Sequence, residues 1–272
     1  MQFPENYTFT IITSTYNCAD SLSETALSIR SQSYKNFQWI VIDGLSTDGT
    51  YNVIYNNKDI INNWVSENDK GIYDAWNKAI KYIKGDWILF LGAGDIFHDN
   101  DSLQNLKSNL LKNIVDYDLL YCNVYITNKN GVIRYLSRKC NLNYYEHGRI
   151  ALPNHQGVLH SKKCFEDGNT FDSELKIAGD SKFLMKILKK GKIKHIDITL
   201  THMKDDGVSN NIKNILVARN EINTMCIDLD YKIPLSHKFI VFVFDYLLIF
   251  YNVMFPKYFI EIIRNKYDSL RS

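Results

Sequence analysis

The sequence predicts an α/β fold: a mainly parallel sheet flanked by helices, followed by an apolar helical tail. Three observations carry this. Through the first hundred residues, short β-branched runs alternate with stretches of helical periodicity. The strand-like runs, Trp87–Leu91 above all, have almost no polar residues, as strands covered on both faces do. Acidic, turn-rich segments follow these runs, and in such sheets ligands bind beyond the carboxyl ends of the strands.

Each element has its own justification. Phe9–Thr15 is short, apolar and β-branched and reads as a buried strand. Ser21-Leu22-Ser23-Glu24 has the capping-box pattern, and Leu22, Ala26 and Ile29 then recur at helical spacing. Gln38–Asp43 is a second strand ending in the turn-rich Asp43–Thr50, where Gly44 and Gly49 are expected to allow a tight turn. Trp64-Val65-Ser66 is a third, short strand. Ile72, Ala75, Trp76, Ala79, Ile80 and Ile83 share one helical face, with Asp74, Asn77, Lys78 and Lys81 on the other. Gly85 is expected to end that helix, and Trp87–Leu91 is the central strand. Asp43, Asp48, Glu67, Asp69 and Asp95 all follow strands, so they are expected to converge on one edge. Farther on, Leu119–Ile126 and a run through Tyr135 flank Asn128-Lys129-Asn130-Gly131 in a hairpin-like pattern. Residues 140–160 read as irregular, Asp180–Leu188 as a helix stopping at Gly191, and Asn210–Ile227 as another helix.

Bulk properties narrow the function. With 272 residues and 45% hydrophobic content, one large domain or one domain with an appendage is expected. The 32 basic residues nearly balance the 30 acidic ones, which argues against a nucleic-acid binder driven by phosphate neutralisation. Five widely spaced cysteines suggest a reduced, cytoplasmic chain. Met1–Asn6 lacks the basic and apolar regions of a secretory signal. The 18 Tyr, 14 Phe and 4 Trp suit surfaces that are partly apolar and partly wet, such as sugar sites.

Phe239–Phe255 is strongly apolar but short of the roughly 20 residues a spanning helix needs. Lys238, Lys257, Arg264, Lys266 and Arg271 flank or follow it. This composition fits an interfacial helix on an anionic membrane, ahead of a helix packed on the domain or in a dimer interface.

Thr13-Ser14-Thr15-Tyr16-Asn17, Ile42–Thr50, Ser66–Lys78, Ile177-Ala178-Gly179-Asp180 and Gly207-Val208-Ser209 together resemble family-two glycosyltransferases of GT-A fold. The Ser66–Lys78 segment resembles the bacterial branch that builds O-antigen and exopolysaccharide repeat units. The resemblance covers about residues 5–210. It implies a nucleotide-sugar donor, a divalent metal (Mn²⁺ or Mg²⁺) and inversion at the anomeric carbon. Residues 1–230 then form the glycosyltransferase domain, with a nucleotide-sugar-binding half at 1–100 and an acceptor and catalytic half at 101–230. Residues 231–272 form the tail.

The chemistry selects residues. A divalent cation that offsets diphosphate charge takes oxygen ligands, and Asp95 is the best candidate. The family's acid–any–acid motif is reduced here to Ala93-Gly94-Asp95, leaving one carboxylate. His202 lies where some relatives supply a late metal ligand. His155 and Gln156 match a segment near the acceptor; the loop position of His155 predicts a polar contact rather than core burial. Thr15 and Tyr16 can face the base, and the resemblance gives Asp43 the uracil N3–H. Asp69 and Lys70 resemble the loop that meets ribose and diphosphate, and Asp74, Asn77 and Lys78 are candidates to line the cleft. A hydroxyl nucleophile needs a proton acceptor. Asp180 is that candidate, with a helix N-cap as the competing role and Asp172 and Glu174 as rivals.

The expected function is transfer of a hexose, galactose or glucose first, from a UDP-sugar to a polyprenyl-diphosphate-linked sugar such as GlcNAc-diphosphate-undecaprenol. The linkage expected is β, with β-1,3 named. Such an enzyme would sit peripherally on the cytoplasmic face of the bacterial inner membrane, its tail in membrane contact. A transferase acting on a soluble or protein acceptor is the second reading. A non-catalytic nucleotide-sugar-binding protein, suggested by the missing acid at 93, is the third.

Overall fold

A computed structural model describes residues 8–110, 116–127, 133–136, 140–146, 149–204 and 214–254. The chain divides into two compact units, Met1–Cys140 with Leu152–Asp206, and Asn141–Ala151 with Gly207–Ser272.

The first unit opens with β1 (Phe9–Thr15), α1 (Ala19–Arg30), β2 (Phe37–Asp43), α2 (Thr50–Asn56), β3 (Asn63–Ser66), α3 (Ile72–Ile80) and β4 (Trp87–Phe90). β1 pairs in parallel with both β2 and β4, and β2 with β3. The chain thus moves outward from β1 to β3, then returns to the other side of β1. The two directions diverge at the carboxyl ends of β1 and β4, which opens a crevice there. β5 (Ile96–Phe97), α4 (Ser102–Leu110), β6 (Leu119–Thr127) and β7 (Ile133–Leu136) follow. Antiparallel pairing of β6 with β7 matches the expected hairpin; its turn lies outside the described residues.

β8 (Asn141–Glu146) and β9 (Arg149–Ala151) form a separate two-stranded sheet in the second unit. The first unit resumes with a 3-10 turn at His155–Gly157, then β10 (Val158–Ser161), α5 (Gly179–Leu188) and β11 (Ile193–Lys204). The main sheet runs β3-β2-β1-β4-β10-β6-β11-β5, with β7 on β6 beyond the end of β10. β10 is antiparallel to both β4 and β6, so the sheet is mixed. Residues 140–160 are therefore not irregular as expected. β10 is buried at every position, including His160, and polar flanks hide a central strand.

Alternate side chains of the central strands feed two cores. Ile11, Trp39, Val41 and Leu89 pack with Leu22, Ala26 and Ile29 of α1, Ile54 of α2 and Leu103 and Leu106 of α4. On the other face Phe90 meets Trp76 of α3 at 4.6 Å between centroids, and Phe171 stacks on Phe183 of α5 at 4.4 Å. Full burial of each such side chain contributes about 1.5–3 kcal/mol.

Several local expectations are corrected. α1 starts at Ala19, two residues before the capping box; Asp48 Oδ2 accepts from the Ala19 N–H at 3.0 Å and Thr50 Oγ1 from the Cys18 N–H at 2.9 Å. A long-range cap replaces the local one. In α3, Ile72 is 41% exposed and Tyr73 takes the buried place. Gly85 lies five residues beyond that helix. A Cβ there would come within 2.5 Å of the Phe9 carbonyl carbon, so this glycine serves close passage over β1 rather than helix termination.

The second unit also contains α6 (Ile215–Asp228) and α7 (Leu235–Met254). The residues 210–213 expected to begin α6, and residues 207–209 of the resemblance, lie outside the described residues. Phe239, Ile240, Phe242, Tyr246, Leu247 and Phe250 of α7 are exposed. Among the described residues, no helix is long and apolar enough to cross a membrane.

Candidate active site

Four loops meet beyond the carboxyl ends of β1 to β4. Asp43, at the end of β2, is completely buried. Its Oδ1 accepts from Thr15 Oγ1 at 3.0 Å and Ser46 Oγ at 2.5 Å; its Oδ2 accepts from the Ser46 N–H at 3.1 Å and Ser66 Oγ at 2.7 Å. One carboxylate thus ties β1, β3 and the turn after β2 together. Neither glycine of that turn takes left-handed backbone. Leu45 carries the positive φ, 60°, and Gly49 has φ −83°. The loop is laced to β1's end by Asn17, whose N–H donates to Ser46 Oγ and whose Oδ1 accepts from the Thr47 N–H. Hydrogen bonds from Thr50 and Ala19 hold Asp48 below the usual carboxylate range.

The loop after β3 leads into α3 through Gly71, whose φ of 126° suits glycine. Asp69 Oδ1 accepts from the Gly71 N–H at 3.0 Å, and Asp74 Oδ2 from the Lys70 N–H at 3.1 Å. Lys78 is 3.1 Å from Glu67 and 3.4 Å from Asp74. Burial opposes its charge, but the two carboxylates outweigh that and raise its pKa. The Lys70 side chain is exposed. Asn77 does not lie free along the cleft: its Nδ2 donates to the Phe171 carbonyl at 2.9 Å, and its Oδ1 accepts from the Phe171 N–H at 2.8 Å. It fixes a backbone segment.

After β4, Asp95 closes a turn through its N–H to the Gly92 carbonyl at 3.0 Å. Thr25 Oγ1 anchors this turn, accepting from the Gly94 N–H and donating to the Asp95 carbonyl. Gly94, φ 99°, supplies backbone that an acid in its place would strain. A Cβ on Gly92 would sit 2.9 Å from Asp95 Oδ2, so the missing side chain makes the cradle for this carboxylate. That cradle fits a single-carboxylate cation ligand at the strand end. Among the described residues, no three His, Cys, Asp or Glu side chains gather around one point. His202 Nε2 instead lies 3.2 Å from His98 Nδ1, and burial followed by the His98 charge lowers the His202 pKa.

On the opposite wall, α5 begins at Gly179 with Ala178 as its cap and no side-chain cap bond, so Asp180 is the second helical residue and not the N-cap. Its Oδ1 accepts from the Ser181 N–H at 2.6 Å and lies 3.5 Å from Tyr73 Oη, which donates to the Ile177 carbonyl at 2.7 Å. A Cβ on Gly179 would meet the Tyr73 ring at 2.7 Å. Glycine therefore lets α5 close on α3 and brings Asp180 beside Tyr73 in the first turn of α3. Sequence reading missed Tyr73; its spacing from Trp76 was the available signal. Of the rival carboxylates, Asp172 pairs with Lys182 at 2.7 Å, which lowers its pKa and makes it a poorer proton acceptor.

His155 is corrected outright as to environment. Its ring is 6% exposed, stacked on Trp76 at 5.0 Å and on Phe90 at 5.4 Å, so the expected loop contact is replaced by core packing. Burial lowers its pKa to about 3. Gln156 is half-buried, and its carbonyl accepts from Thr201 Oγ1 at 3.0 Å.

Residues 10–165 match the model of glycosyl transferase family 2. The chain belongs to that family. Among family members with curated names, it is 32% identical over 130 residues to the UDP-Glc:alpha-D-GlcNAc-diphosphoundecaprenol beta-1,3-glucosyltransferase WfgD of Escherichia coli, covering 47% of this chain and 50% of that protein. WfaP of Escherichia coli, which bears the same activity in its name, is 41% identical over 90 residues, 31% of this chain and 34% of that protein. The matched region thus spans half the length of these relatives or less. Among solved structures, Staphylococcus aureus TarS 1-349 in complex with UDP-GlcNAc superposes with a TM-score of 0.63 at 20% identity, covering 85% of this chain and 69% of that one. The mannosyltransferase PcManGT of Pyrobaculum calidifontis, in complex with GDP-Man and Mn²⁺, gives 0.61 at 19% identity, with coverages of 89% and 70%. The family-two chain has the GT-A fold of these enzymes.

Proposed function

We propose that this family-two chain is an inverting glycosyltransferase that moves a hexose from a UDP-sugar to a sugar carried on a polyprenyl diphosphate. The observation that carries the reading is the placement of Asp180. Gly179 lets the start of α5 close on the Tyr73 ring, and the Ser181 N–H holds this carboxylate at 2.6 Å, facing α3, whose leading loop is bound to β2 through the Glu67 N–H and Asp43 carbonyl at 2.9 Å. The activities of WfgD and WfaP support glucose as donor sugar, a GlcNAc-diphosphate-undecaprenol acceptor and a β-1,3 linkage.

In this mechanism Asp180 accepts the proton of the attacking hydroxyl as its oxygen bonds to the anomeric carbon. The sugar–phosphate bond breaks on the opposite face, which inverts the centre and releases UDP. The Ser181 N–H fixes the carboxylate's direction, and Lys70 offers a cation to the departing diphosphate. Asp95 in its Gly92 cradle would hold a divalent cation; when bound, that ion offsets the diphosphate charge. Transfer from UDP-glucose to a synthetic lipid-diphosphate GlcNAc tests the whole reading, with linkage analysis of the product. Asp95→Asn is expected to lower kcat/KM by ~10²-fold, matching several kcal/mol of charge stabilisation. Metal-independent activity equal to wild type in this variant would remove Asp95 from the site.

The lipid acceptor gives α7 a role, as an interfacial helix with its exposed aromatic and aliphatic residues in the headgroup region. Flotation with anionic vesicles is expected to carry the protein upward. Replacing Phe239, Phe242 and Phe250 by Ser should leave it in the dense fraction. A concentration-dependent dimer that ignores vesicles would assign this face to a second copy instead.

A further inference from the structure

We propose that Asn77 is a positioning residue for sugar transfer: it ties the wall that ends in Asp180 to the helix that carries the donor loop. This deepens the transfer reading above and rests on its assignment of Asp180. The Asn77 side chain is half-buried, and both of its polar atoms are committed to one residue. Nδ2 donates to the Phe171 carbonyl at 2.9 Å, and Oδ1 accepts from the Phe171 N–H at 2.8 Å. The amide thus plays the part of a neighbouring strand for a residue that belongs to no strand. The Phe171 ring is 2% exposed, lodged against Trp76 at 5.0 Å and Phe183 at 4.4 Å between centroids. Backbone and ring together make Phe171 a fixed point between α3 and α5.

One turn earlier on α3, Tyr73 Oη donates to the Ile177 carbonyl at 2.7 Å. Residues 73 and 77 share a helical face, being four apart. They hold the two ends of a strap, Phe171 to Ile177, that runs directly into α5 and Asp180. Asp172 also pairs with Lys182 at 2.7 Å, but that tie joins the strap to its own following helix. The α3 contacts differ, because they set strap and base against the donor side. The next residue of α3, Lys78, donates to the Asn68 carbonyl and pairs with Glu67 and Asp74, so it holds the donor loop. Consecutive residues of one helix therefore grip the donor loop and the base wall. A general base must stand within about 3 Å of the proton it takes, and a misplacement on the order of 1 Å costs ~10²-fold.

The test is transfer from UDP-glucose to the synthetic lipid-diphosphate GlcNAc by the full chain, at a temperature where melting curves show every variant folded. UDP binding is measured on the same preparations. Asn77→Asp keeps the shape and the acceptor for the Phe171 N–H but sets an oxygen against the Phe171 carbonyl; Asn77→Ala removes both bonds. Each is expected to lower kcat by ~10–100-fold while UDP affinity stays within about twofold. The deciding comparison is a double-mutant cycle with Asp180→Asn. Because Asn77 acts through Asp180, Asn77→Ala should cost nothing further once that carboxylate is gone. Losses that multiply in the cycle would make Asn77 a purely structural residue and overturn the proposal. So would wild-type kcat in both single variants, or a fall in UDP affinity that parallels the fall in kcat. Wild-type transfer by Asp180→Asn, or no transfer by the wild-type chain, would instead overturn the base reading itself, and this inference with it.

Discussion

Asp180→Asn is expected to reduce sugar transfer by ~10²–10⁴-fold while UDP-sugar affinity stays within about twofold of wild type, the magnitude a positioned general base contributes. The asymmetry follows from placement. Asp180 touches α5 and Tyr73, whereas the strand-end loops proposed to hold the donor are organised around Asp43, Asp48 and Asp69. An amide is isosteric and keeps an oxygen for the Ser181 N–H, so the fold should survive, but it cannot take a proton at neutral pH. The loss should appear in kcat, because an interaction made only as the hydroxyl attacks leaves ground-state binding untouched. Tyr73→Phe removes the bond to the Ile177 carbonyl that seats the start of α5, acts on Asp180 only through that position and should cost less, roughly 10-fold, in kcat alone. Transfer at the wild-type rate by Asp180→Asn would return the base assignment to Glu174, since Asp172 is committed to Lys182.

The first ninety residues disclose their architecture because each strand there is a short apolar run with an abrupt polar end. Thr15, Asp43, Ser66 and Asp95 could be placed at one edge on pattern alone. Past residue 100 the signals weaken for identifiable reasons. β10 hides because His160 is a core residue: its Nδ1 faces the Ile88 carbonyl at 3.4 Å and its ring packs against Phe90, Phe165 and Phe183. Pattern reading treats histidine as polar and so breaks the strand. The start of α1 hides because its cap comes from Asp48, some thirty residues away. Asn77 lies on the polar face of α3 as expected, yet a polar face can be spent on the protein's own backbone, here at Phe171. Asp43 and Asp69 look alike in sequence, as acids in turns after strands. Only their partners separate them, one saturated by Thr15, Ser46 and Ser66, the other bonded to the Gly71 N–H and packed over Gly44.

The same buried histidines predict a loss of stability in mild acid. Burial lowers the His155 pKa to about 3, and burial together with the neighbouring His155 drives His160 well below the ordinary histidine value. Among the described residues, neither ring has a partner for its Nε2. In the unfolded chain both titrate near the usual histidine pKa of about 6.5. Below that pH the unfolded state therefore binds protons that the native state refuses, and stability falls as pH falls. For His155 alone the cost is about 2 kcal/mol at pH 5 and rises toward roughly 5 kcal/mol near pH 3, with His160 adding in the same direction. Against a total of about 5–15 kcal/mol for a domain, that is a large fraction. Three paired or hydrogen-bonded carboxylates act outside this window. Asp48, Asp59 and Asp172 have lowered pKa values, so their contributions persist until the pH drops below about 4. Thermal or urea unfolding between pH 7 and 4.5 should show a steady fall in wild type. His155→Phe keeps an aromatic ring between Trp76 and Phe90 while removing one titrating site, so its slope should be distinctly shallower. An unchanged slope in His155→Phe would mean that the ring is protonated in the native state and that acid acts elsewhere.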